Sequence, residues 1–196
     1  MFKRPTLFTG NMVHLSHQIF REIIVPGDIV IDATCGNGKD SVVLAQLLQG
    51  AGKLVAYDLQ KKALENASAL FQKCLSHKER AIIELKKTSH EKISEQGAKL
   101  IHYNLGYLPK GNKAITTLET TTKASLERAF NLVALQGLIT VVSYPGHEEG
   151  EKETVTLKFL AERLDPAFWQ VSLFYVMNRN KAPHLFVFQS LKKMVG

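Results

Sequence analysis

Apolar residues recur at helical spacing early in the chain: Met12, Leu15, Ile19, Phe20 and Ile23 share one face until Pro26-Gly27 interrupts the pattern, which predicts a helix over 11–25. The next run, 28–33, is short and β-branched (Asp-Ile-Val-Ile-Asp-Ala), the signature of a strand buried on both faces. Gly36-Asn37-Gly38 turns that strand into a helix over 40–48, which Gly50-Ala51-Gly52 closes. A second strand over 53–57 ends at Asp58, and Ala63, Leu64, Ala67, Leu70 and Phe71 mark one face of a helix over 61–75. Further strands are predicted at 82–85 and 99–102. A Thr-rich stretch (Thr116, Thr117, Thr120, Thr121, Thr122) then leads into a helix over 123–135 ended by Gly137, a fifth strand over 138–143 and a helix over 151–164. Finally 171–176 and 184–189 alternate or run apolar around 178–182, which predicts two antiparallel strands at one sheet edge.

Strands that alternate with helices imply a parallel sheet, because each crossover brings the chain back to the same end. The expected fold class is therefore α/β, a Rossmann-like doubly wound and mostly parallel sheet with an antiparallel C-terminal strand pair. A chain of 196 residues, 45% hydrophobic and 22% charged, can bury one core, so a single domain over 1–196 is expected, with 1–25 as an N-terminal helical extension. Twenty-five Lys and Arg against 18 Asp and Glu leave a net +7, a field that favours an anionic partner and admits nucleic acid. No apolar run approaches the roughly 18 residues of a membrane helix, and the start of the chain is short and broken by Pro5. Neither a membrane nor a signal peptide is expected, and the expected location is the cytoplasm. Cys35 and Cys74 cannot make a disulfide framework or a four-thiolate zinc site, and the seven His residues show no ligand spacing with carboxylates, so no metal is expected.

In an open parallel sheet, ligands bind at the carboxyl ends of the strands. The first such end reads Asp32-Ala33-Thr34-Cys35-Gly36-Asn37-Gly38-Lys39-Asp40, an acid followed by glycines that let a ligand approach the backbone at a helix N-terminus. Asp58 lies 20 residues beyond Gly38, the approximate spacing at which such a sheet offers a carboxylate to the two hydroxyls of a ribose. A nicotinamide dinucleotide shares that pair, but two features disfavour it. Ser41 stands where the dinucleotide fingerprint has its third glycine, and Asp32 and Asp40 would repel a pyrophosphate while favouring a cation. S-adenosyl-L-methionine suits this field, with a ribose and adenine for the Asp58 side, an ammonium for Asp32 and no phosphate.

At this point the chain resembles the class I methyltransferases. It is more closely similar to a small family first described as rRNA methylases and assigned to methylation of the aminomethyl group on the wobble uridine of tRNA. The matching segments are Asp-Ala-Thr-Cys-Gly-Asn-Gly-x-Asp (32–40), Asp-x-Gln (58–60), Ser-His-Glu (89–91), Asn-Leu-Gly-Tyr-Leu-Pro (104–109) and Tyr-Pro-Gly-His-x-x-Gly-x-x-Glu (144–153). They follow in that order over nearly the whole chain, and the last two are specific to the small family. Lys39 stands where the family often has His, and Leu105-Gly106 where amino-methylating enzymes carry two prolines. The resemblance implies S-adenosyl-L-methionine as cofactor, with Asp32, Thr34, Gly36, Asn37, Gly38, Asp40, Asp58, Gln60, Ser89, His90 and Asn104 around it. Within that set Asp58 and Gln60 hold the ribose side, and Ser89 and His90 lie near the adenine. Ser89 equally suits a helix cap, while a hydrolytic Ser-His dyad would lack its Gly-x-Ser-x-Gly elbow.

Three residues are candidates for the chemistry: Asn104, Tyr107 and His147. An amide oxygen at Asn104 can accept a hydrogen bond from an amine and aim its lone pair, with Tyr107 covering the nucleobase or else packed in the core. His147 is a candidate proton acceptor, or it orders its loop through Glu153 or the backbone. Gly106, Leu108, Pro109, Tyr144, Pro145, Gly146, Arg179 and Lys181 complete the expected substrate contacts. No acid follows Pro166, where Arg179, Lys181, Lys192 and Lys193 could meet phosphate, as could Lys3, Arg4 and Arg21 at the start. Phe2, Phe8 and Tyr175 could stack on unpaired bases. The resulting expectation is an RNA methyltransferase acting on the amine of 5-aminomethyl-(2-thio)uridine in the tRNA anticodon stem-loop, to give 5-methylaminomethyl-uridine. An rRNA or small-amine N-methyltransferase is the alternative within enzymes, and a cofactor-binding RNA module without turnover the alternative outside them; the 104–109 segment argues against the last. The oligomeric state, a homodimer included, stays open.

Overall fold

The computed structural model describes residues 11–106 and 119–192. Its strands are β1 (Ile29–Asp32), β2 (Lys53–Asp58), β3 (Ile83–Lys87), β4 (Ala98–Asn104), β5 (Val133–Ser143), β6 (Trp169–Phe174) and β7 (His184–Ser190). They form one sheet in the order β3-β2-β1-β4-β5-β7-β6. Strands β1 to β5 run parallel, and β7 lies antiparallel between β5 and β6. The helices are α1 (Met12–Ile23), α2 (Lys39–Leu48), α3 (Lys61–Cys74), α4 (His77–Ala81), α5 (Glu119–Leu132) and α6 (Glu148–Arg163). This is the expected doubly wound sheet with its antiparallel C-terminal pair.

Adjacent strand residues point to opposite faces, and the buried pairs sort accordingly. Val30, Leu54, Leu100 and Leu138 pack with Phe20 of α1, Leu44 and Leu48 of α2 and Phe71 of α3. Their neighbours Ile31, Val55, Ile101 and Ile139 pack on the other face with Leu126 and Ala129 of α5 and Leu157 of α6. Both faces are covered, which is why the strands read as continuous apolar runs. Among the described residues no helix is long and apolar enough to cross a membrane.

Several elements depart from the pattern, β6 among them, which spans Trp169–Phe174 where 171–176 is expected. Helix α4 was not expected, because five residues are too few to show periodicity; a capping box between Ser76 and Glu79 sets it up. The helix expected over 123–135 begins earlier and stops at Leu132, and Gly137 does not end it. Val133 pairs with Ala98, the register then shifts before Leu100 meets Leu138, and Gln136 adopts φ 59° in the irregularity. Sheet pairing took residues that helical spacing alone had claimed. Helix α6 starts at Glu148, three residues early, because His147 caps it.

Candidate active site

Strands β2 and β3 extend the sheet to one side of β1, and β4 and β5 to the other, so the carboxyl ends of β1 and β4 border the point where strand order reverses. Parity turns Asp32 of β1, His102 and Asn104 of β4 and Thr140 of β5 toward α1 and α2. The backbone N–H of Asn104 donates to Thr34 Oγ1 across this point at 2.7 Å. The side-chain amide of Asn104 donates to Asp40 Oδ2 at 2.9 Å, and the Tyr144 hydroxyl donates to Asn104 Oδ1 at 2.8 Å. His17 Nε2, on α1, lies 2.6 Å from Asp40 Oδ1. His102 Nε2 lies 3.6 Å from Asp40 Oδ2, and its Nδ1 is 2.9 Å from Thr140 Oγ1. A carboxylate only accepts, so the NH2 of Asn104 must face Asp40, and its oxygen is thereby fixed toward Tyr144.

Two carboxylates in this cluster are pushed in opposite directions. Burial would raise the Asp40 carboxyl, but the imidazoles of His102 and His17 and the Asn104 amide outweigh it and hold the group well below the usual carboxylate range. Asp32 is fully buried, and burial, with the nearby Asp40 charge adding to it, pushes its carboxyl up to about 6. Ser41 Oγ donates to Asp32 Oδ2 at 2.5 Å, and the Thr34 N–H donates to Oδ1 at 3.2 Å. Asp32 thus holds the turn from inside.

The glycine turn wraps the second acid. Gly38 has φ +81°, and a Cβ there would stand 2.7 Å from Phe71 Cε1 and 2.8 Å from Ala67 Cβ, so the turn can lie against α3 only without a side chain. The N–H groups of Gly36 and Gln60 donate to Asp58 Oδ2 and Oδ1 at 2.8 and 2.7 Å. Burial raises the Asp58 carboxyl, and these backbone hydrogen bonds pull it back. Each oxygen retains acceptor capacity, and the side chain is half-buried, so the carboxylate fits the hydroxyls of a ribose. Asn37 accepts from Asn66 Nδ2 on α3 at 3.0 Å. The residues present fit S-adenosyl-L-methionine: an acceptor carboxylate beside a glycine turn, in a negative field that suits a cation.

At the third strand end, Ser89 takes the cap position: its Oγ accepts from the Glu91 N–H at 3.3 Å and donates to Glu91 Oε2 at 2.8 Å. His90, in the short 3₁₀ turn His90–Lys92, is 8% exposed and meets the Tyr103 ring edge-on at 5.8 Å. Burial pushes its imidazole down to about 4, and its buried Nδ1 has no hydrogen-bond partner among the described residues.

After β5, His147 Nδ1 accepts from the Gly150 N–H at 3.1 Å, capping α6. In the neutral ring the proton then sits on Nε2, which makes that nitrogen a donor. A Cβ at Gly150 would run into the carbonyl oxygen of Tyr144, so this glycine lets the helix start close under the turn. Glu153 accepts from Thr122 Oγ1 at 2.9 Å. A Cβ at Gly146 would sit 3.6 Å from the carbonyl oxygen of Lys181, which shows that the connection between β6 and β7 packs beside the turn of Tyr144, Pro145 and Gly146. Arg179 and Lys181 are exposed there, with Tyr175 against the His184 ring at 5.3 Å. Gly106, at φ +124°, is the last described residue of its segment. Tyr107, Leu108 and Pro109, like Phe2, Lys3, Arg4, Phe8 and Lys193, lie outside the described residues.

Sequence reasoning missed His17, His102, Thr140 and the pairing of Ser41 with Asp32. A signal existed for His102: it lies two residues before Asn104 on the same strand face. His17 sat on the flank of an amphipathic helix, where a histidine carries no distinguishing pattern.

Comparison with known proteins gives the family. Residues 54–190 match the family model described as "Putative rRNA methylase". The chain is 36% identical over 181 residues to a chloroplastic tRNA (mnm(5)s(2)U34)-methyltransferase of Arabidopsis thaliana, covering 87% of this chain and 66% of that protein's length. A structure described as a putative rRNA methylase from Clostridium thermocellum superposes with a TM-score of 0.86 at 30% identity, covering 92% of this chain and 97% of that one. A putative methyltransferase from Streptococcus mutans, in complex with SAH, gives 0.78 at 26% identity over 97% and 100% of the two chains.

Proposed function

The chain belongs to the rRNA methylase family and has the class I methyltransferase fold, and on that premise we propose that it methylates the amine of an aminomethyl-uridine at the tRNA wobble position. The observation that carries this reading is the Asn104 side chain, its amide held by Asp40 and its oxygen by Tyr144, with its backbone N–H on Thr34 of the loop that leads into the glycine turn. When bound, S-adenosyl-L-methionine would supply an electrophilic methyl to the amine nitrogen, the carbon–sulfur electron pair leaving with sulfur as a neutral thioether and one amine proton passing to water.

The protein's own groups have two tasks. Asp58, with its two backbone donors, presents acceptor oxygens to the ribose, and the buried Asp32 and the ionised Asp40 set a field that favours the sulfonium. The second lone pair of Asn104 Oδ1 accepts an amine N–H and orients the nitrogen lone pair, an effect of positioning that acts chiefly on the transition state. His147, with Nδ1 engaged in the cap, orders the turn between β5 and α6. The exposed Arg179 and Lys181 beside the Gly146 turn suit phosphates flanking a splayed base. The tRNA specificity is further supported by the name of the Arabidopsis relative.

The test is nucleoside mass spectrometry of tRNA and rRNA from cells with and without the gene. Loss of methylaminomethyl-uridine with gain of its aminomethyl precursor in tRNA is the expected result. A methylated nucleoside lost from rRNA alone, or no change in either RNA, overturns it.

A further inference from the structure

We propose that His17 on α1 is a positioning residue for the acceptor amine, acting through Asp40 to hold the Asn104 amide in one orientation. This rests on the reading that Asn104 receives the amine. An asparagine amide is nearly symmetric in shape, and a flip of its end would present NH2 where an amine needs an acceptor. The carboxylate of Asp40 prevents the flip because it accepts from Nδ2 at 2.9 Å. That carboxylate is itself only 10% exposed and would be free to turn toward His102, 3.6 Å away, without the His17 contact at 2.6 Å on its other oxygen.

His17 is 17% exposed in its side chain, and its ring lies 5.6 Å from that of Phe20, which in turn meets His102 edge-on at 4.9 Å. Helix α1 is already anchored by the buried Met12 and Phe20. To that apolar anchoring the imidazole adds a donor to the carboxylate that orients Asn104. The charge on Asp40 also polarises the amide, which strengthens its oxygen as an acceptor. Helix α1, outside the sheet and remote in sequence from β4, thereby takes part in aiming the substrate.

The experiment uses the full chain with tRNA carrying the aminomethyl group, and reads kcat, the KM for tRNA and the calorimetric Kd for S-adenosylhomocysteine. His17→Ala is expected to lower kcat by about tenfold or more, as a small misplacement of a positioned group does, while KM and Kd stay within about threefold. His17→Gln, whose terminal amide can donate from near the Nε2 position, is expected to recover most of kcat. If His17→Ala does not fold, His17→Asn, too short to reach Asp40, takes its place. Wild-type kcat in the short variant overturns the proposal, and so does a Gln variant as slow as the short one, which would make the imidazole a packing element. Asn104→Ala in parallel separates the two readings. A slow Asn104→Ala beside a fast His17→Ala sinks only the role of His17, whereas a fast Asn104→Ala sinks the acceptor reading itself.

Discussion

Asn104, at the end of β4, donates its side-chain amide to Asp40 at the start of α2 across 2.9 Å and 64 positions of sequence. The pair joins the acceptor strand to the glycine turn, so the substrate side and the cofactor side of the crevice share one carboxylate. Asn104→Asp would set two carboxylates against each other and remove the amide donor. It is expected to lower single-turnover methyl transfer by about 100-fold or more, as is Asn104→Ala, with S-adenosylhomocysteine affinity within a few-fold. Tyr144→Phe, which removes only the hydroxyl donor to Asn104, should cost about tenfold. Wild-type rates in all three would place the amine elsewhere.

Asp58→Ala should weaken S-adenosylmethionine and S-adenosylhomocysteine binding by roughly 10- to 150-fold in calorimetry, since losing the carboxylate's hydrogen bonds to the ribose should cost about 1.5 to 3 kcal/mol in total. The same substitution removes the acceptor for the Gly36 and Gln60 N–H groups, so the turn itself loosens. Unchanged affinity in a folded variant would detach Asp58 from the site.

The buried His90 makes stability depend on pH. Burial lowers its imidazole to about 4, below the ordinary 6.5, so the contribution of the neutral ring is complete above pH 6.5 and lost as pH falls toward 4. Asp32, raised to about 6, works in the opposite sense, because its burial costs stability as pH rises from 4 to 6. His90→Phe keeps a ring against Tyr103 and cannot charge. Relative to the wild type, it should gain about 3 kcal/mol in urea unfolding between pH 7 and pH 4. A difference that does not vary with pH would contradict the buried neutral imidazole.

Arg179 and Lys181 bear on the RNA. Replacing both with Ala should weaken binding of an anticodon stem-loop and reduce the slope of log K against log salt by roughly 1.4, two contacts at about 0.7 per phosphate on a single strand. Binding of S-adenosylhomocysteine should not change. Equal salt slopes for the wild type and the double variant would remove this loop from the RNA surface.

Much of the architecture is written locally. The doublets Val30-Ile31, Leu54-Val55, Leu100-Ile101 and Leu138-Ile139 specify strands covered on both faces, because each doublet supplies one apolar side chain to each layer. The Gly36 to Gly38 turn and the spacing to Asp58 mark out a strand-end carboxylate beside a glycine turn, whereas the hydrogen bonds that tie Asp58 to Gly36 and Gln60 appear only in the structure. Such features depend on residues near in sequence or on one crossover of standard length. The partners of Asp40 do not. His17 and Asn104 stand 23 and 64 positions away, on an N-terminal helix and on the fourth strand, and only the packing of α1 over β4 brings them together. His147 likewise reads as a base or as an ordering residue until the close start of α6 makes its Nδ1 a cap. Sequence periodicity decides which face a side chain takes; which groups meet on that face depends on strand order and helix placement, and these are set by the burial of the whole chain.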